Sequence, residues 1–88
     1  MPADLPGLAK LMAEALVEHP EAVSVDAFGD DQNVELELRV ADDDLGRVIG
    51  RNGRTARCLR NVLSAAAEKD GQRCSLDILE EDEDGEEE

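Results

Sequence analysis

Val34, Leu36, Leu38 and Val40 alternate with Glu35, Glu37 and Arg39, the period-two pattern of a strand with one face buried and one wet. Ala22 to Phe28 sets Val23, Val25 and Ala27 against Ser24 and Asp26 in the same way. Gly29-Asp30-Asp31-Gln32-Asn33 between them is turn-forming by composition, so the two stretches predict an antiparallel hairpin. Helical spacing takes over on either side. Leu8, Leu11, Met12, Ala15 and Leu16 predict an amphipathic helix from Leu8 to Glu18, with Pro6 suited to its first turn and His19-Pro20 closing it. The lone His19 at that end suits a helix-dipole role better than catalysis.

Asp42-Asp43-Asp44 precedes Leu45-Gly46-Arg47-Val48-Ile49 and offers an Asp as N-cap, which predicts a short helix over 44–49 that stops at Gly50. A longer helix is expected from near Arg54 to about Lys69, ended by Asp70-Gly71. Its wheel puts Cys58, Leu59, Val62, Leu63 and Ala66 on one side and Arg54, Arg57, Arg60 and Asn61 on the other. Cys74, Leu76 and Ile78 then alternate with Ser75 and Asp77 in a last strand.

The resulting order, α–β–β–α–α–β, implies an α+β fold. A right-handed crossover through the two helices makes the second and third strands parallel. Three helices cover one face of a mixed three-stranded sheet, and the outer strands remain edges. Residues 1–79 are expected to form one domain. From Glu80 onward eight of the last nine residues are acidic, so 80–88 is expected to be a disordered acidic tail.

Composition narrows the chemistry. Phe28 is the one aromatic residue, which argues against readers that stack bases on Phe, Tyr or Trp. Cys58 and Cys74 lack metal-ligand spacing and sit beside apolar residues, so both are expected to be small, reduced core side chains. Nothing resembles a signal peptide or a membrane span, and a cytoplasmic location is expected. No Ser/His/Asp or Cys/His constellation suggests an enzyme, and no acidic cluster looks dedicated to metal.

The net charge of −14 by itself speaks against nucleic acid, but the distribution of that charge points the other way. Arg47, Arg51, Arg54, Arg57 and Arg60 fall in one window free of Asp and Glu, which carries +5 while the remainder carries −19. Inside the window lies Gly50-Arg51-Asn52-Gly53. With Gly at about 7% of residues, such a pair arises by chance in roughly one chain of this length in three. Its placement between two helices, after Val48-Ile49 and among arginines, raises its weight. A turn without Cβ atoms at its edges lets a sugar-phosphate backbone approach closely, and free N–H groups at a helix start attract phosphate. Arg51, flanked by Arg47 and Arg54, adds charge-assisted contacts, and Val48 and Ile49 offer an apolar floor for bases. Arg57 is a weaker candidate and Arg60 weaker still. Replacing Gly50 and Gly53 by Asp is expected to remove binding while the fold survives. The alternative is a plain tight turn with arginines on a solvated face.

Val48-Ile49-Gly50-Arg51-Asn52-Gly53-Arg54-Thr55-Ala56 resembles the signature of KH domains, and the element order resembles their type II arrangement. From Leu8 to Leu79 the chain is similar to the small bacterial single-KH proteins of the KhpA (YlqC-like) family. The resemblance implies cytoplasmic binding of single-stranded RNA at Arg47, Val48, Ile49, Gly50, Arg51, Asn52, Gly53, Arg54 and Arg57, with no catalysis, metal, cofactor, small-molecule substrate or membrane. It also implies a homodimer, or a heterodimer with a KhpB (Jag/EloR) type KH protein, in post-transcriptional control of cell division and cell shape or as an RNA chaperone. A different class of reading makes the chain a protein-interaction subunit whose RNA surface is secondary. The tail either folds back on the arginines as a phosphate mimic or only solubilises the protein.

Overall fold

In the computed structural model, which describes residues 3–80, α1 (Leu5–Leu16) leads into β1 (Ser24–Gly29) and β2 (Asn33–Val40). Next come α2 (Leu45–Ile49), α3 (Arg54–Glu68) and β3 (Arg73–Glu80). The sheet order is β1-β2-β3, with β1 antiparallel and β3 parallel to β2. This is the α+β arrangement that the hydrophobic pattern implies, with the three helices on one face of the sheet.

The core lies between those layers. Leu36, Leu38 and Val40 of β2 and Leu76 of β3 point into it, met by Leu5, Ala9 and Ala13 of α1, Val48 of α2, and Leu59, Leu63 and Ala67 of α3. Alanines at three of the helix positions let backbones approach closely, which suits a core without aromatic rings. The residues alternating with these on the strands are mostly polar, with Asp26, Glu35, Ser75 and Asp77 exposed, and include the apolar Phe28 and Leu79. On that open face Arg39 pairs with Asp26 and Glu37.

Several boundaries differ from expectation for identifiable reasons. Helix α1 starts at Leu5 because the Asp4 carboxylate accepts from the Gly7 N–H at 3.0 Å. It ends at Leu16, short of Glu18, where Val17 turns extended. The stretch Pro20–Ala22 forms a 3-10 turn, so β1 begins at Ser24. Strand β3 extends beyond the apolar alternation of Cys74 to Ile78 at both ends, from Arg73 to Glu80, because parallel pairing with β2 continues there. Glu80 is thus the last strand residue, not the first of the tail. The remainder of the expected tail lies outside the described residues.

The buried stripe of α3 is Ala56, Leu59, Leu63 and Ala67, rotated from the predicted one. Cys58 is consequently exposed, not a core residue, and Val62 is 45% exposed. Cys74 is half-buried, and burial raises its thiol pKa. The reason for the rotation is that α3 must face both the sheet and α1, and its smallest residues, Ala56 and Ala67, take the closest approach.

Asp44 departs furthest from its predicted role. Its carboxylate makes no N-cap bond. It is 1% exposed and accepts from the N–H groups of Glu18 at 3.0 Å and His19 at 2.9 Å, stitching the end of α1 to the start of α2. Burial pushes its pKa up, yet those two hydrogen bonds and the charges of His19 and Arg47 outweigh burial and leave it below the usual value.

His19 lies beyond the helix end. Its Nε2 sits 3.3 Å from Asp43 and its Nδ1 3.7 Å from Glu21. The hydrogen bond and charge of Asp43, followed after a small opposing burial effect by the charges of Asp44 and Glu21, raise its pKa above 6.5. A group raised in the folded state contributes stability below its unfolded pKa and loses it as pH rises through the folded value. An NMR titration of the His19 ring should therefore give a midpoint above 6.5, and Asp43→Asn should bring it down. An unchanged midpoint in Asp43→Asn would show that this carboxylate does not hold the ring.

Candidate nucleic-acid interface

The expected site residues fall at one end of the molecule, where α2 hands over to α3. Helix α2 is only five residues long and stops because Gly50 takes φ 77°, ψ 172°, a region closed to residues with a Cβ. Asn52 (φ 56°, ψ 26°) and Gly53 (φ 74°, ψ 14°) then follow in left-handed conformations, so the chain reverses within four residues. The turn is closed internally: the Gly50 N–H donates to Gly46 O at 2.8 Å, and the Gly53 N–H to Gly50 O at 3.1 Å. The first turn of α3 leaves N–H donors at the same corner.

The two glycines of the turn have different jobs. A Cβ on Gly50 would lie 2.7 Å from Thr55 Cβ and 2.9 Å from Thr55 N, so Gly50 is where the turn folds against the start of α3. A Cβ on Gly53 would meet nothing within 4 Å. This corrects the expectation that Asp at both positions spares the fold: Gly53 tolerates a side chain sterically, and Gly50 does not.

The arginines also divide. Arg51, Arg54 and Arg57 are exposed, and among the described residues no carboxylate pairs with them. Arg54 and Arg57 stand three apart on α3 and share a side with the turn. Arg47 is different. Its guanidinium lies 3.2 Å from Glu18 and 3.3 Å from Asp44, so two carboxylates already offset its charge. Asp44 stands at i, i+3 from Arg47 and is a local signal, whereas Glu18 is remote along the chain and only the fold brings it there. Arg60 turns towards the sheet and donates from Nε to Leu76 O at 3.1 Å, occupying a carbonyl of the edge strand β3.

Val48 requires a further correction. Its side chain is 0% exposed and belongs to the core, so it cannot serve as a floor for bases. Ile49 is half-buried beside the turn and is the apolar residue of that pair left accessible there. The resulting corner has three arginines without a carboxylate partner among the described residues, the start of α3 and one apolar neighbour. It can hold an anionic, extended chain by backbone and charge, with little base stacking.

His19, Asp43 and Asp44 place donor atoms within 4.8 Å of one another. Both Asp44 oxygens accept N–H bonds and Arg47 lies against one of them, so this trio is an internal ion-pair and hydrogen-bond junction.

Known proteins share this arrangement. Residues 7–78 match the family model described as KhpA/KhpB, KH domain. The RNA-binding protein KhpA of Halalkalibacterium halodurans is 47% identical over 73 residues, covering 83% of this chain and 96% of that protein. The RNA-binding protein KhpA of Caldanaerobacter subterraneus is 42% identical over 72 residues, covering 82% and 96%. Among solved structures, Era in complex with MgGDPNP and nucleotides 1506–1542 of 16S ribosomal RNA superimposes with a TM-score of 0.64 at 17% identity, over 86% of this chain and 29% of that one. At that identity the likeness concerns the fold.

Proposed function

This chain belongs to the KhpA/KhpB KH-domain family, and we propose that it binds single-stranded RNA in the cytoplasm by gripping the sugar-phosphate backbone at Gly50-Arg51-Asn52-Gly53. The family is one of binding domains, and the chain is not an enzyme. The observation that supports this use of the turn is electrostatic. In a chain of net charge −14, Arg51, Arg54 and Arg57 stand together without a carboxylate partner among the described residues, at the start of α3. Phosphates of about four nucleotides fit such a grip. Arg51, Arg54 and Arg57 supply charge, the N–H groups of the first turn of α3 supply directed donors, and Ile49 packs against a sugar or base. Arg47 orients α2 through its two carboxylates and adds little charge to the ligand.

A fluorescence-anisotropy titration with a labelled single-stranded RNA tests this. Three phosphate contacts predict a log K against log[salt] slope of roughly −2, at about −0.7 per contact for single strands. Arg54→Gln should weaken binding to every sequence alike and make the slope shallower by about 0.7. Binding without salt dependence would remove the backbone grip from consideration.

A second observation favours action in pairs. Leu11 is 65%, Leu16 39% and Val62 45% exposed. Leu16 and Val62, with Met12, Ala15 and Cys58, line an apolar groove of about 300 Å³ between α1 and α3. We infer that this uncharged strip joins two KH domains, either two copies of this chain or one copy and a KhpB-type partner. A narrow interface gives a weak pair, and pairing raises the affinity for a strand spanning both turns through effective concentration. Val62→Glu should convert a concentration-dependent sedimentation profile to monomer without changing the circular dichroism spectrum. A profile identical to the parent's, with and without the partner, would count against the pairing.

A further inference from the structure

Residues 81–88 carry seven acidic side chains and no cation. The fold determines where this segment leaves the domain. Because β3 runs parallel to β2, its last residue, Glu80, is in register with Val40, the residue from which the chain passes into α2 and the glycine turn. An antiparallel β3 would send the segment off the opposite end of the sheet. Across one strand spacing, the 41–44 connection and the five-residue α2, the path from Glu80 to Gly50 is about 25 Å at most. Eight extended residues reach about 26–29 Å.

We propose that the 81–88 segment competes with RNA for Arg51, Arg54 and Arg57, acting as a tethered polyanion that screens the turn until a ligand with bases displaces it. This inference rests on the reading of the turn as the phosphate site. Its basis is charge complementarity at short range. The three arginines lack carboxylate partners among the described residues, while Arg47, on α2 before the glycine turn, is already held by Glu18 and Asp44. A segment tethered within reach acts at millimolar effective concentration, enough to occupy a site that grips only a few phosphates. It has no base to set against Ile49, so a cognate strand can displace it, whereas weakly held polyanions cannot. The device raises discrimination at the expense of affinity.

The distinguishing property is the salt response. RNA that displaces the acidic segment releases fewer counterions than RNA that meets bare arginines. The experiment uses the full-length chain and a variant in which every acidic side chain of residues 81–88 is replaced by its amide. The neutral-tail variant should bind a labelled single-stranded RNA about tenfold more tightly at about 50 mM salt. Its log K against log[salt] line should be the steeper one, and the two should converge as salt rises. Without RNA, the amide resonances of Arg51 and Asn52 should shift between the two proteins at low salt and coincide at about 0.5 M, an ionic strength set well above physiological to shorten the Debye length to about 4 Å. Equal affinities at every salt concentration, or coincident amide resonances at low salt, would overturn the inference while leaving RNA binding at the turn intact. Failure of both proteins to bind RNA would overturn the underlying reading instead.

Discussion

Gly53→Asp will leave the protein folded, with a melting temperature close to the parent's, and weaken its binding of a short single-stranded RNA about tenfold or more. A Cβ at Gly53 meets no atom within 4 Å, and its φ of 74°, ψ of 14° lie where Asp and Asn are the best-tolerated residues after Gly. The fold therefore loses little. The new carboxylate, however, stands at the start of α3 where phosphate is to be held, between Arg51 and Arg54. It neutralises one unit of the corner's positive charge and repels the ligand directly. A tenfold loss corresponds to about 1.4 kcal/mol, a modest demand on one misplaced charge at close range. Thermal unfolding and anisotropy measured on the same sample check both halves. A folded Gly53→Asp protein that binds RNA as tightly as the parent would eliminate the turn as the phosphate site.

Gly50→Ala will behave in the opposite way and act first on stability. A Cβ there lies 2.7 Å from Thr55 Cβ and 2.9 Å from the Thr55 backbone nitrogen, and no rotation of the Thr55 side chain moves the nitrogen. The backbone is also held at φ 77°, ψ 172°, which L residues avoid at a cost of about 1–3 kcal/mol. Strain and overlap together predict a loss of about 3 kcal/mol, a large part of the stability of a domain this small. The melting temperature should then fall by roughly 12–24 °C. RNA binding will fall too, because relaxing the overlap displaces the turn from α3. Denaturant unfolding of Gly50→Ala with a midpoint equal to the parent's would show that the turn does not pack on Thr55 as described. The two glycines thus separate a binding defect from a folding defect, which a double substitution would merge.

Both predictions depend on details that a sequence pattern expresses unequally. Alternation in Val34 to Val40, the helical spacing of α1 and α3, and the glycine-bounded turn are set by neighbours within about four residues. Such local signals predict the element order and the parallel crossover, and hence the fold class and the place of the Gly-x-x-Gly turn in it. The acid-free arginine window is likewise a property of the linear chain. The resemblance to KH domains carried by Val48 to Ala56 agrees with the family match across residues 7–78.

Roles that depend on distant partners were not accessible in that way. Val48 and Ile49 are adjacent and similar in sequence, yet one is sealed in the core and the other half-open, because only packing against α3 and β3 decides which side of a five-residue helix is covered. The same kind of packing, acting on α3, exposes Cys58 and Val62 and buries Ala56 and Ala67. The arginine window looks uniform along the chain. In three dimensions Glu18 and Asp44 hold Arg47, the Leu76 carbonyl holds Arg60, and the three between them remain for a ligand. Asp44 is the extreme case: its carboxylate serves backbone groups 25 and 26 residues away. By itself the sequence determined the elements, their order and the position of the turn, since those follow from local periodicity and backbone sterics. The tertiary structure alone decided which arginines are available and which glycine is indispensable, because both depend on contacts between residues brought together only when the helices close over the sheet.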